Sequence, residues 1–170
     1  MDLRRYIRDV PDFPEPGIIF RDITPLLSSP EAFGAAIDRL EERYCGDAID
    51  AVAGVDARGF VLAAPLALRL GKPLVLLRKA GKLPPDTVSV SYALEYGEAT
   101  VEVHAGAFES GKRALVVDDV LATGGTLAAS AALVERAGGI VAGFAVLIEL
   151  AELGGRQRLG SHDLFALLRI

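Results

Sequence analysis

Four near-continuous apolar runs punctuate the chain, Ala51–Val55, Leu74–Leu77, Ala114–Val117 and Val141–Leu147, with a further alternating stretch at Thr100–Val103. Runs this short and this apolar predict strands buried on both faces. Between them the apolar residues recur at helical spacing. Pro30–Tyr44 carries Phe33, Ile37, Leu40 and Tyr44 on one stripe, with Ser29 placed to cap it and Pro30 at its first position. Gly59–Leu70 and Gly125–Ala137 are the next two helical segments, and Gly138-Gly139 closes the second of them. Pro65 lacks a backbone donor, which predicts a kink or a late helix start there. Strand and helix alternate, so the expected fold is α/β: right-handed βαβ crossovers on a central, mostly parallel sheet flanked by helices.

Two segments fall outside that scheme. Pro11–Pro25 is proline-rich around a short apolar centre. Lys79–Gly97 reads as a long connection with Gly, Pro-Pro and polar alternation, and long loops in compact domains serve as lids or binding loops.

Composition narrows the picture. With 170 residues, 51% of them hydrophobic, the chain can bury one substantial core, so a single domain over 1–170 is expected. A net charge of −5 argues against nucleic acid or an anionic membrane as partner and points to a small ligand. Cys45 is the only cysteine, which leaves no intrachain disulfide and no cysteine zinc site and suits a reducing cytosol. The first ten residues carry charge every few positions, and no stretch has membrane-spanning length and apolarity; a soluble, cytoplasmic protein is expected.

The chemistry concentrates in Ala114–Thr126, A-L-V-V-D-D-V-L-A-T-G-G-T. Asp118 and Asp119 are expected at the strand end, where α/β sheets bind ligands. Ala122, Thr123, Gly124, Gly125 and Thr126 then bring backbone N–H groups and hydroxyls to a helix N-terminus suited to an anion. The bland alternative is a capped turn. Two adjacent carboxylates repel each other and gain nothing from capping one helix, however, and two glycines weaken a helix entrance unless backbone must approach something closely. A phosphorylated sugar satisfies both halves of the loop.

A second anion site is expected at Val55-Asp56-Ala57-Arg58-Gly59, a strand end opening a helix; the alternative is that Arg58 is a solvated surface residue. Arg78, Lys79 and Lys82 follow another strand end and either meet anions or form a solvated charge run. Gly106–Lys112 nearly spells a P-loop, but Arg113 stands where a Ser or Thr should bind magnesium and the segment precedes a strand; it reads as a turn. His104 and His162 lack companions at metal-ligand spacing.

The strand-Asp-Asp-x4-Gly-Gly-Thr string resembles the phosphoribosyl pyrophosphate (PRPP) signature of the type I phosphoribosyltransferases. Four further strings extend the likeness over nearly the whole chain and narrow it to the adenine-using branch: F-P-E-P-G-I-I-F-R-D-I-T-P at Phe13–Pro25, G-V-D-A-R-G-F at Gly54–Phe60, R-K-A-G-K-L-P at Arg78–Pro84 and S-Y-A-L-E-Y-G at Ser91–Gly97. The resemblance implies transfer of a phosphoribosyl group from PRPP to adenine, giving AMP and pyrophosphate, with Mg2+ held mainly by PRPP oxygens and no certain protein ligand. Ala122–Thr126 would cradle the 5′-phosphate, and Asp118 and Asp119 would contact the ribose hydroxyls. Asp56, Ala57 and Arg58 match a pyrophosphate loop that in many relatives holds a non-proline cis peptide; Arg78, Lys79 and Lys82 match cations near it. Ile19, Phe20 and Arg21, in a hood over residues 1–28, and Leu150 match the adenine contacts. Glu95 and Tyr96, in a flexible catalytic loop over 79–97, match the pair that closes over the reactive centre, with Glu95 as candidate for the purine proton. Relatives are homodimers. Cys45, Leu83-Pro84-Pro85-Asp86 and a start close to the first motif depart from the family pattern without touching a matched residue. Transfer to another purine, a PRPP- or nucleotide-sensing regulator on the same fold, and a phosphoreceiver domain are the competing readings.

Overall fold

The computed structural model describes residues 1–93 and 98–170. Nine strands are assigned among them. β1 (Arg8–Pro11) and β2 (Ile19–Asp22) pair as a separate antiparallel ribbon. The other seven, β3 (Ala51–Val55), β4 (Leu74–Lys79), β5 (Thr87–Ala93), β6 (Glu98–His104), β7 (Arg113–Leu121), β8 (Ile140–Glu149) and β9 (Leu164–Arg169), form one sheet in the order β5-β6-β4-β3-β7-β8-β9. The five strands from β4 to β9 in that order run parallel, and β6 and β5 close one edge antiparallel.

The helices are α1 (Thr24–Leu27), α2 (Pro30–Tyr44), α3 (Arg58–Leu70), α4 (Gly125–Arg136) and α5 (Gly155–Arg158). Alternation along the central strands explains why their sequences look apolar throughout. Val52, Leu115 and Val117 face a core shared with α2 and α3, whereas Ala51, Ala53, Ala114 and Val116 face a second core shared with α4. Both faces of the sheet are therefore covered. The α2 stripe docks as expected, with Ser29 Oγ accepting from the Ala32 amide at 3.2 Å to cap the helix. Tyr44, on that stripe, buries its ring and donates its hydroxyl to the Phe144 carbonyl at 2.9 Å.

Three expectations need correcting. Helix α3 starts at Arg58 and runs unbroken through Pro65, so there is no late start. The carbonyl that Pro65 leaves without an amide partner is that of Val61, a residue 39% exposed. Within Lys79–Gly97, Thr87–Ala93 is a strand, not a connection. Ser89 and Ser91 point to solvent while Val88, Val90 and Tyr92 are half-buried, and this one-sided burial keeps its mean hydropathy low. Finally, Asp118 and Asp119 lie inside β7, where Asp118 pairs with Val146, and do not follow its end. Hydropathy ends a strand at its first charge, but hydrogen bonding carries the ladder on. Gly106–Lys112 is a turn, as expected.

One glycine lets α3 approach the sheet. A Cβ on Gly59 would lie 2.6 Å from the Val117 carbonyl oxygen and 3.1 Å from the Asp118 Cα, both backbone. Gly34, within α2, has nothing within 4 Å of such a Cβ. The same substitution should therefore act with opposite sign at the two positions. In urea denaturation, Gly59→Ala is expected to destabilise the chain by about 1–3 kcal/mol, as overpacking does. Gly34→Ala is expected to stabilise it by about 0.5–1 kcal/mol.

Candidate active site

The loops after β3 and β7 open on the same end of the sheet, and the residues singled out from sequence converge there. A cavity of about 640 Å³ is lined by Asp56, Ala57 and Arg58 from the β3–α3 junction, Asp118, Asp119, Ala122 and Thr126 from β7 and its loop, and Lys79 from β4. A small adjoining recess of about 70 Å³ is bounded by Val120–Leu127. A third hollow, about 150 Å³ and mostly apolar, lies between Ile18–Arg21 of the ribbon side and Val120 and Leu150 of the sheet. Arg58 lines both larger hollows.

Among the three long helices, capping separates the two that open on the cavity from the third. Surface helix α2 has its side-chain cap, but α3 begins after Ala57 and α4 after Gly124, and neither has a side-chain cap. Their first amides face the cavity end with the positive end of the helix dipole, which suits anions. Gly124 holds φ +84°, so the loop turns through a conformation that glycine takes without strain. The Asp56–Ala57 bond is cis.

The matching family model is the phosphoribosyl transferase domain, which covers residues 27–164. The chain is 58% identical to an adenine phosphoribosyltransferase of Thermobifida fusca over 98% of its own length and 94% of the relative's. This chain belongs to the adenine phosphoribosyltransferase family. Among solved structures, the family member from Thermoanaerobacter pseudethanolicus superposes with a TM-score of 0.96 at 47% identity, covering 99% of this chain and 98% of that one. The Saccharomyces cerevisiae adenine phosphoribosyltransferase, solved with D-2,5-dideoxy-2,5-imino-altritol 1,6-bisphosphate and adenine, gives 0.92 at 37% identity, covering 98% and 97%.

Within this phosphoribosyltransferase fold the expected residues divide into three groups. Asp56, Ala57, Arg58, Lys79, Asp118, Asp119 and Ala122–Thr126 surround the main cavity and its recess, and Ile19, Phe20, Arg21 and Leu150 share the apolar hollow. Arg78 is held back from the cavity by Asp56, its Nε donating to Oδ2 at 3.0 Å. Lys82 is exposed and lines neither hollow; what is fixed is its backbone, since Glu102 Oε1 accepts from the Lys82 and Leu83 amides at 3.1 Å each. Glu95 and Tyr96 lie outside the described residues. Sequence reasoning missed Ile18, Val120, Tyr92 and Glu102. Tyr92 Oη lies 3.3 Å from Thr126 Oγ1, a hydroxyl pair joining β5 to the glycine loop.

The electrostatics centre on three groups. Burial works against ionisation of Asp56, but the hydrogen bonds from Arg78 and the Lys79 amide outweigh it and hold the carboxyl below its ordinary range. Arg21 Nη1 meets Asp9 Oδ1 at 2.7 Å, which anchors it in the ribbon, and its buried Nε has no hydrogen-bond partner among the described residues. Asp118 is 8% and Asp119 4% exposed. Burial, reinforced by the charge of Asp119, pushes the Asp118 carboxyl well above its ordinary range. Arg58 Nε stands 2.9 Å from Asp119 Oδ2, yet off the line of a hydrogen bond, so this oxygen has no such partner among the described residues.

A raised carboxyl pKa in the folded state destabilises at neutral pH, and the penalty fades as pH falls from the folded value toward the ordinary 3.8. Asp118→Asn should therefore raise the midpoint of thermal unfolding at pH 7, by about 2–4 °C per kcal/mol relieved. Measured by calorimetry across pH, the gain should shrink in acid and vanish near the ordinary carboxylate value.

Proposed function

We propose that this pentosyltransferase binds PRPP along the β3 and β7 loops and adenine in the apolar hollow, and releases AMP and pyrophosphate. The observation that carries the reading is the position of Arg58. It borders both hollows, faces Asp119 on the ribose side and lies over the Phe20 ring, 5.3 Å from its centroid, on the base side. The yeast relative solved with adenine and a bisphosphate iminosugar supports two adjacent subsites, one for base and one for sugar phosphate.

In this reading Ala122–Thr126 receives the 5′-phosphate, its uncapped amides matching an anion. Asp118 and Asp119 accept hydrogen bonds from the ribose hydroxyls, and Asp56, Ala57, Arg58 and Lys79 face the pyrophosphate. The bond from the anomeric carbon to pyrophosphate breaks ahead of bond formation to the purine nitrogen, so positive charge develops on the ribose. Buried carboxylates on one side and fixed donors to the leaving group on the other stabilise that charge distribution. Glu95 takes the proton that the purine nitrogen loses, and Tyr96 is its partner in the catalytic pair. The base lies between Phe20 and Leu150, with Arg21 and the ribbon backbone reading its edge.

Magnesium fits the donor set. Asp118 and Asp119 are hard oxygen ligands, Asp119 Oδ2 lacks a hydrogen-bond donor, and no cluster of three metal-binding side chains occurs among the described residues. PRPP oxygens would hold most of the ion, with Asp118 and Asp119 as the carboxylates beside it, and when bound it would neutralise pyrophosphate charge. A homodimer in the cytoplasm belongs to the same proposal. No helix among the described residues is long and apolar enough to cross a membrane.

The deciding assay offers adenine, hypoxanthine, guanine and xanthine in competition, with PRPP and magnesium. AMP is the expected product; consumption of another purine instead would remove adenine from the assignment. Glu95→Gln should lower kcat about a hundredfold and leave PRPP affinity within about twofold. An unchanged kcat would take the proton away from Glu95.

A further inference from the structure

The chain beyond β8 contributes Leu150 to the apolar hollow and has no other part in the chemistry above. Its geometry nevertheless bears on the glycine loop. Glu149, the last residue of β8, has a side chain only 4% exposed, and a carboxylate that deep requires a partner. Arg156 of α5 supplies it with a two-pronged contact, Nε to Oε1 at 3.0 Å and Nη2 to Oε2 at 2.6 Å, while its Nη1 donates to the Leu164 carbonyl at 3.1 Å. These hydrogen bonds hold the Glu149 carboxyl below its ordinary range.

Beside Arg156 sits Gly155, which is buried against the loop. A Cβ there would lie 2.2 Å from the Ala122 carbonyl oxygen and 2.9 Å from the Gly124 nitrogen. Reciprocally, a Cβ on Gly124 would lie 2.5 Å from the Gly155 carbonyl oxygen. The closest atoms on each side are backbone, with the Leu121 side chain also at 2.9 Å from that Gly155 Cβ, so the place of Gly155 fixes the place of the loop. The other end of the pair is set by the sheet. Ile170 donates its amide to the Glu149 carbonyl at 2.9 Å, and Leu150 donates to the Leu121 carbonyl at 2.9 Å. A fixed carboxylate thus holds the arginine that holds the turn.

We propose that the Glu149–Arg156 ion pair is a positioning device for the 5′-phosphate loop. It clamps the α5 turn so that Gly155 backs Ala122–Gly125 and keeps their amides turned toward the anion. The inference rests on the reading of that loop as the 5′-phosphate site. Leu150 is held by sheet hydrogen bonds that the pair does not supply, so the base side should be nearly indifferent to it.

The test uses the full chain and ribose 5-phosphate as probe, with steady-state kinetics alongside. Glu149→Gln keeps the shape and removes the charge; it should raise the ribose 5-phosphate Kd and the PRPP KM about tenfold, with kcat and the adenine KM within about twofold. Arg156→Lys should recover part of the affinity that Arg156→Met loses. Gly155→Ala leaves the ion pair in place and should weaken ribose 5-phosphate at least as much. Unchanged ribose 5-phosphate affinity in Glu149→Gln overturns the proposal even where Gly155→Ala fails to fold. So does an equal rise in both KM values with a fall in kcat and Tm, which marks general loosening. If the wild type itself does not bind ribose 5-phosphate, the 5′-phosphate assignment fails first and takes the clamp with it.

Discussion

Two carboxylates on consecutive residues, almost wholly buried in an interior strand of a sheet, repel each other and have been stripped of water. Such a pair persists only because the rest of the fold determines it. β7 is bonded on both sides as far as Val117, by β3 and β8, and the β8 ladder continues past both aspartates to Leu121. Among the described residues Arg58 is the one cation paired with Asp119, and its hydrogen bond is incomplete. A ligand with hydroxyl donors, an accompanying cation, or both would relieve what the protein alone leaves unsatisfied. The position of α3 follows from this constraint, since Arg58 reaches Asp119 only because Gly59 lets the helix start touch the β7 backbone.

The same economy appears at the helix ends. A helix far from the cavity is closed by a serine, whereas the two that open onto it begin after alanine and glycine without side-chain caps. The free amides are structural liabilities until an anion meets them. Two such ends, one after β3 and one after β7, offer free amides at two places around the aspartates. Under the proposed function, one would take the phosphate of the sugar and the other its pyrophosphate.

Much of this was legible in the chain because the central strands and helices obey simple periodicities. α2 begins and ends where its cap, proline and apolar stripe predict, and β3 coincides with its apolar run. Hydropathy failed where chemistry begins. β7 continues through Asp118 and Asp119, and β4 through Arg78 and Lys79, because strand tops face a polar cavity. β5 was hidden for a different reason, its outward face being serine and threonine. Motif spacing marked the glycine loop and the Arg58 junction, while Glu102, Tyr92 and Gly155 act through contacts far apart in sequence and carry no local signal. Family resemblance supplied what neither periodicity nor charge encodes, namely the identity of the base.

A ribose phosphate bound as proposed would place its anion on the amides after β7, beside Asp118 and Asp119. Titrating ribose 5-phosphate into the 15N-labelled chain and following each amide resonance tests it most directly. The account predicts saturable shifts that are largest for Thr123, Gly124, Gly125 and Thr126, with smaller ones at Asp118 and Asp119. Saturable shifts that leave these amides unmoved and gather elsewhere on the surface would contradict it.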